Sequence, residues 1–444
     1  KKYEGLTGTE LAISESQERM AIVIDPKDAD FIKEQCAKEN LEVVQVATVT
    51  DQNRLVMKHM GQDIVNISRE FLDAAGADRY QNVKITLPDF TKTPFDEEPQ
   101  LNFVKTVKDT LSKLSVASQK GLIEMFDSSI GNGTVLSPFG GIKYHSEIEG
   151  MAALIPVLDK ETTTCSVMAY GYNPVISKWS PYHGAMYAVV ESIAKIVAMG
   201  GDYHKIRFSF QEYFEKLLDN PVSWGKPMAA LLGAYRVQSA LKLPSIGGKD
   251  SMSGSFEDLH VPPTLVSFAI TSAEVDDIMT PEAKEPGHVL AEVMIKKDKF
   301  KVLDLEHLQK QYDAIMSLMS QKRIYSAYTV KDGGVIEAVS KMAFGNGVGA
   351  AFNGEYSLGS YVTRSYGNII IEVKSEEDLS VFDKYRIVAI TNDSGTLSYG
   401  GDVISLDEAY AVNKAPLEKV YPTTEKAPTS EIKVAACKTR STLQ

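Results

Sequence analysis

The sequence predicts an α+β protein, and three observations carry that reading. Apolar strand candidates alternate with helix candidates along most of the chain, yet no G-x-G-x-x-G stands between a strand and a helix. The rhythm is therefore not that of a dinucleotide-binding fold, and a Walker A pattern is absent as well. Residues 185–199 are apolar on nearly every face, the mark of a helix buried all round rather than lying on a surface. Finally, 444 residues suffice for two to four domains of about 100–200 residues each.

Taken in order, residues 20–24 form a short strand candidate. Asp25-Pro26 then opens a helix to about residue 40, with the acid as cap and the proline in the first turn. A strand at 41–49 and a helix at 67–75 complete a βαβα piece too short for a comfortable independent core. Residues 81–99 shift to Pro, Thr and Asp around Lys92-Thr93-Pro94 and read as a linker. A helix is expected at 101–114, and Gly131-Asn132-Gly133 is a turn signal. Strands follow at 152–159, ending on Asp159, and at 165–170. After the buried helix come a helix at 227–241, a Gly-Gly-Lys-Asp loop and a strand at 265–270.

A Pro/Gly/Glu-rich passage at 276–287 marks the next boundary. Beyond it are a strand at 289–294, a helix at 305–319, and a helix at 335–344 preceded by Lys331-Asp332-Gly333-Gly334. Asp332 reads there as an N-cap. Strands at 369–373 and 385–390 and a helix at 406–413 end the folded part, and residues from 422 onward are polar. The opening piece and the 289–415 region share an element order, as an internal duplication would produce.

Composition narrows the function. The chain is 43% hydrophobic and 24% charged with a net charge of −12, which argues against a nucleic-acid or anionic-membrane partner. Any phosphate must be met by a local cluster or by metal. Cys36, Cys165 and Cys437 are far apart with no C-x-x-C, which argues against a disulfide framework or zinc ribbon and fits a reducing, cytoplasmic setting. No apolar signal segment follows Lys1-Lys2, and the buried helix is shorter than the ~20 residues a membrane span requires.

The stretch Ile246-Gly247-Gly248-Lys249-Asp250-Ser251-Met252-Ser253-Gly254 has the make-up of a phosphate and metal site. Its glycines let backbone N–H groups turn toward an anion, Lys249 supplies a positive charge, Asp250 can hold Mg²⁺, and Ser251 and Ser253 offer hydroxyls. An ordinary strand-to-loop exit explains the same residues. Within the buried helix, Glu191 and Lys195 are the only charges, spaced i,i+4 on one face. They are either a plain helix pair or an acid turned to a polar site. Lys92, Asp159, Glu191 and Asp250 are the candidates to converge, since carboxylates, a lysine and a glycine-rich segment together can hold Mg²⁺-bridged phosphates. No serine or cysteine sits in a nucleophile elbow, and no H-E-x-x-H occurs. His183 reads as a loop histidine or a site residue.

Three separated motifs carry a specific likeness. They are Ser14-Glu15-Ser16-Gln17-Glu18-Arg19-Met20, Ser180-Pro181-Tyr182-His183-Gly184-Ala185 with Glu191 in its helix, and Gly247-Gly248-Lys249-Asp250-Ser251-Met252-Ser253. Together they resemble the large form of phosphoribosylformylglycinamidine synthase over nearly the whole chain. The resemblance implies an ATP- and glutamine-dependent C–N ligase, converting formylglycinamide ribonucleotide to formylglycinamidine ribonucleotide in purine synthesis. It also implies aminoimidazole-ribonucleotide-synthetase-like domains, with this chain corresponding to the second half of a pseudo-dimer.

On that resemblance residues 1–80 are the end of the first half's C-terminal domain and 81–115 a linker. Residues 116–275 and 276–421 are the second half's N- and C-terminal domains, and 422–444 lead toward a glutaminase domain. The first synthetase N-terminal domain and the glutaminase are expected as missing partners, and the chain by itself as inactive. The family's second half holds ADP with Mg²⁺ without turning it over. Lys92, Gly247, Gly248, Lys249, Ser251 and Ser253 resemble its nucleotide contacts, and Asp159, Glu191 and Asp250 its metal ligands. Lys195 departs from the pattern, standing where relatives place a metal-binding asparagine. Two alternatives remain: a non-catalytic ADP/Mg²⁺-binding scaffold, and another enzyme of the aminoimidazole ribonucleotide synthetase superfamily.

Overall fold

The computed structural model describes residues 5–14, 19–73, 80–126 and 133–424. They fall into two units, 1–81 and 82–444. In the first unit Thr7 and Glu10 form a capping box at the start of α1 (Gly8–Ile13). Asp25 accepts a bond from Lys27 N at 3.1 Å and caps a 3₁₀ turn ahead of α2 (Ala29–Lys38). A hairpin of β1 (Arg54–His59) and β2 (Gln62–Ser68) leads into α3 (Arg69–Asp73).

Two expectations change here. Residues 20–24 and 41–49 carry no strand ladder, and Val23 and Val46 are exposed. Apolar β-type composition is insufficient where no partner strand meets it. The β1–β2 hairpin went unread because Arg54, Lys58 and Asp63 interrupt its apolar alternation. Residues 15–18 of the Ser-Glu-Ser-Gln-Glu-Arg motif, 74–75 of the expected helix, 131–132 of the turn signal and Cys437 lie outside the described residues.

The second unit begins with α4 (Phe103–Leu111), capped by Asn102, and the short α5 (Lys120–Ile123). Next come β3 (Phe139–Gly140), β4 (Ser146–Glu147), β5 (Gly150–Leu154), β6 (Thr164–Gly171), α6 (Pro174–Trp179), α7 (Pro181–Ala198), β7 (Arg207–Tyr213) and α8 (Pro221–Leu241). They are followed by β8 (Ser245–Ser251), β9 (Ser255–Phe256), β10 (Leu259–His260) and β11 (Thr264–Glu274). The remainder comprises β12 (Val289–Val293), α9 (Leu305–Ser320), β13 (Ile324–Thr329), α10 (Gly334–Asn346), β14 (Gly349–Phe352), α11 (Leu358–Val362) and β15 (Ile369–Val373). It closes with β16 (Tyr385–Asn392), β17 (Thr396–Tyr399), β18 (Asp402–Ser405) and α12 (Leu406–Glu418).

Two sheets organise this unit. The first has the order β5-β6-β11-β7-β8, antiparallel except for the parallel pair β7–β8. Its inner face alternates as the strand period requires: Cys165, Val167 and Ala169 on β6 and Leu265 and Ala269 on β11 are buried. Met168, Tyr170 and Phe268 occupy its other, exposed face. Every residue of α7 from His183 to Ala198 is buried, as all-round apolarity demands. Gly171 lets helix and strand approach, since a Cβ there would stand 2.1 Å from the Ala188 carbonyl.

The second sheet has the order β13-β15-β12-β16-β14-β17-β18. Ala291, Val293, Ile369 and Ile371 pack into the same core as α7 and α9. Leu290 and Ile370, on the other face, join α4, α10 and α12 in a second core. Residues 89–98, within the expected linker, pack as a strap. Trp179 Nε1 donates to the Asp89 carbonyl at 2.9 Å, Arg364 donates to the Pro94 carbonyl at 2.9 Å, and the buried Phe95 ring lies 4.8 Å from Tyr187.

Buried charges join the elements of the two sheets. Lys331 meets Glu149 at 2.7 Å, Lys341 meets Glu147 at 2.7 Å, and Glu337 lies 3.3 Å from Lys341. Burial opposes the charge on Lys331, but Glu149 and Glu337 hold it well above the ordinary lysine range. Lys341→Met leaves the buried Glu147 without its ion-pair cation and Glu337 with Lys331 alone, at 3.8 Å, so a loss of about 3–5 kcal/mol is expected in urea unfolding.

Candidate functional site

The Gly247–Ser251 segment is a strand rather than a loop. It lies in β8, at the edge of the first sheet, with Ser209 opposite Gly247, Phe210 opposite Gly248 and Glu212 opposite Asp250. Two adjacent glycines read as a turn in isolation, but pairing with β7 overrides that preference. Gly248 serves close approach, since a Cβ there would stand 2.4 Å from the Phe210 carbonyl. Lys249 and Asp250 are exposed along the edge. Ser253, at φ 66°, turns the chain out of the strand, and Gly254 N donates to the Phe214 carbonyl at 2.9 Å.

The register brings a carboxylate beside Asp250 that the sequence reading missed. Burial and the Asp250 charge together push the Glu212 carboxyl above its ordinary value. Glu212 lies in a Gln-Glu-Tyr run without any motif, so only the strand pairing reveals it.

Glu191 and Lys195 form a second, separate centre. Lys195 Nζ lies 2.8 Å from Glu191 Oε1, with side chains 6% and 7% exposed respectively. The same ammonium donates to the Tyr170 carbonyl at 2.8 Å, and Glu191 Oε2 accepts from Tyr172 N at 3.0 Å. Burial pushes the Glu191 carboxyl up even though Lys195 and Lys331 pull it down. The charge that answers Glu191 is thus a lysine of its own helix.

Asp159 lies outside both centres. Its strand, β5, ends at Leu154, and Asp159 follows as an exposed residue at φ 54°. Lys92 is exposed in a turn fixed by its neighbours: Asp89 accepts from Thr91 and Asp96 from Thr93. Among the described residues no group of three or more His, Cys, Asp or Glu side chains is arranged to hold a metal ion. A cavity of about 360 Å³ lies between Leu87, Lys178, Trp179, Glu215, Lys226 and His260, and none of the sequence-derived site residues lines it.

Two secondary readings resolve. Asp332 is not the cap of α10: its carboxylate accepts from Arg364 Nε and Ser115 Oγ and lies 3.4 Å from Asn173 Nδ2. Burial works against its charge, but these donors hold its carboxyl below the usual range. Glu337 instead satisfies the helix start, accepting from Gly333 N at 2.8 Å. His183 is buried, with Nδ1 2.8 Å from Ser180 Oγ and Nε2 2.9 Å from the Phe300 carbonyl, so both ring nitrogens are used in packing α7.

The Asp250–Glu212 contact makes a pH prediction. Replacing Asp250 by Asn removes one of the two causes that raise Glu212. Its NMR titration midpoint should move down toward 4.5, whereas an unchanged midpoint contradicts the register.

A family described as "AIR synthase related protein, C-terminal domain" matches residues 1–60. Phosphoribosylformylglycinamidine synthase subunit PurL of Thermoplasma volcanium is 25% identical, over 94% of this chain and 56% of its own length. The chain thus spans little more than half of that relative. The structure of PurLQS from Thermotoga maritima superposes with a TM-score of 0.59 at 17% identity, covering 88% of this chain and 58% of that one. T. maritima PurL complexed with ADP gives 0.51 at 15% identity, covering 76% and 55%. The chain therefore has the mixed α+β fold of aminoimidazole-ribonucleotide-synthetase-like proteins, with relatives named PurL aligning along most of its length.

Proposed function

We propose that this chain is part of a phosphoribosylformylglycinamidine synthase, and that it supplies a nucleotide-holding synthetase half rather than the turnover site. The observation that carries the reading is colinearity: the PurL likeness runs through 94% of the chain, across both of its units. In the whole enzyme a glutamine-derived nitrogen replaces the amide oxygen of formylglycinamide ribonucleotide, the oxygen leaving with the phosphate as ATP is converted to ADP. The partners on this reading are a glutaminase domain or subunit and a further synthetase half. Met168, Tyr170 and Phe268, exposed together on the first sheet, offer an apolar face for such a half. On this reading residues 116–275, which contain the β5-β6-β11-β7-β8 sheet, and residues 276–421, which contain the seven-stranded sheet, are two synthetase domains.

Within this reading the nucleotide lies along β8. Lys249 and Ser251 are its phosphate contacts, Gly247 and Gly248 give its backbone room, and Ser253 follows at the turn. Lys92 is a further candidate from the strap. The fit of Mg²⁺ is uneven across the expected ligands. Asp250 and Glu212 suit it, because two adjacent carboxylates that repel one another are relieved by a divalent cation. Asp159, on an exposed turn, remains a candidate only if the nucleotide draws it in. Glu191 does not fit, since Lys195 already neutralises it.

The test is calorimetric titration of the chain with ADP, with and without Mg²⁺. Binding is expected, weakened by Lys249→Ala and Asp250→Ala. Absence of heat from ADP under either condition sinks the nucleotide-holding role.

A further inference from the structure

The groups around Lys195 make up the shell that a protein ordinarily offers to a bound cation. The ammonium faces a carboxylate oxygen at 2.8 Å and a main-chain carbonyl at 2.8 Å, and lies 4.5 Å from the centre of the Tyr170 ring. Carboxylate, carbonyl and aromatic face are each cation ligands in their own right. Glu191 spends its other oxygen on Tyr172 N. A divalent ion entering here would stand beside a buried ammonium, with little water to screen the repulsion. Lys331, which also acts on Glu191, adds positive charge from the direction of the second sheet.

We infer that Lys195 is a resident cation, supplying from within the chain the positive charge that Glu191 requires, so that the Glu191 centre takes no divalent metal. Its work is positional. Lys195 fixes the Tyr170 carbonyl and Glu191 fixes the Tyr172 amide, on either side of Gly171, where no side chain fits. The next residue, Asn173, caps α6 and donates to the Tyr366 hydroxyl at 2.7 Å. The pair thus sets the exit of β6, from which the chain reaches the second sheet's elements. As a consequence that rests on the nucleotide reading above, an ion accompanying a nucleotide would be held at Asp250 and Glu212 and not at Glu191.

The experiment is Mn²⁺ titration of the full chain, without nucleotide, read by the electron paramagnetic resonance of free Mn²⁺. Glu191→Gln keeps an acceptor for the ammonium and should leave Mn²⁺ affinity within about twofold of the parent. Lys195→Asn, which opens the shell and adds a neutral oxygen, should gain a Mn²⁺ site that the Glu191→Gln/Lys195→Asn double variant lacks. A Glu191→Gln affinity loss beyond about twofold overturns the inference, because it makes Glu191 a metal ligand in the native chain. Because no nucleotide is present, failure here is separate from failure of the ADP titration.

Discussion

The contact on which the first sheet depends is the buried ion pair between Glu191 and Lys195. Helix α7 is covered on all sides, so any charge within it needs a partner inside the protein. Spacing of i,i+4 puts that partner one turn away, and the main chain of Tyr170 and Tyr172 completes both groups. Desolvation makes such a pair a poor source of net stability, yet removal of one member alone strands a charge. What the pair secures is geometry: the distance of α7 from β6, closed over Gly171.

The same device recurs between the two sheets. Glu147 and Glu149 flank Lys331 and Lys341, with Glu337 between the lysines, so elements β4 and α10 meet through charge where their neighbours meet through apolar packing. The strap at residues 89–98 runs beside this region, held by Arg364, which also binds Asp332. At the edge of the first sheet, β8 leaves Lys249 and Asp250 exposed.

Long apolar segments were legible in the sequence. The buried α7, the amphipathic α9 and the strands β6, β12 and β15 followed from periodicity, because burial selects side chains directly. The α+β class followed with them. Edge and hairpin strands were not legible: β1, β2 and β8 are made by partner strands, and their charged or glycine residues carry no alternation. The same contrast holds among the candidate site residues. Glu191 and Lys195 stood out as charges in an apolar run, whereas Glu212 became visible only through its register with Asp250. Asp332 misled because an acid before a helix is a common cap, and its long-range partners Ser115 and Arg364 leave no local trace.

The central claim is that a lysine of α7, and not a bound ion, answers the Glu191 charge. A double-mutant cycle on Glu191→Gln and Lys195→Met, followed by urea unfolding, measures this most directly. The account predicts a coupling of about 2 kcal/mol or more, with the double variant more stable than the sum of the single losses requires. Additive losses, within about 0.5 kcal/mol, would contradict it, because they would mean that the two side chains do not depend on each other.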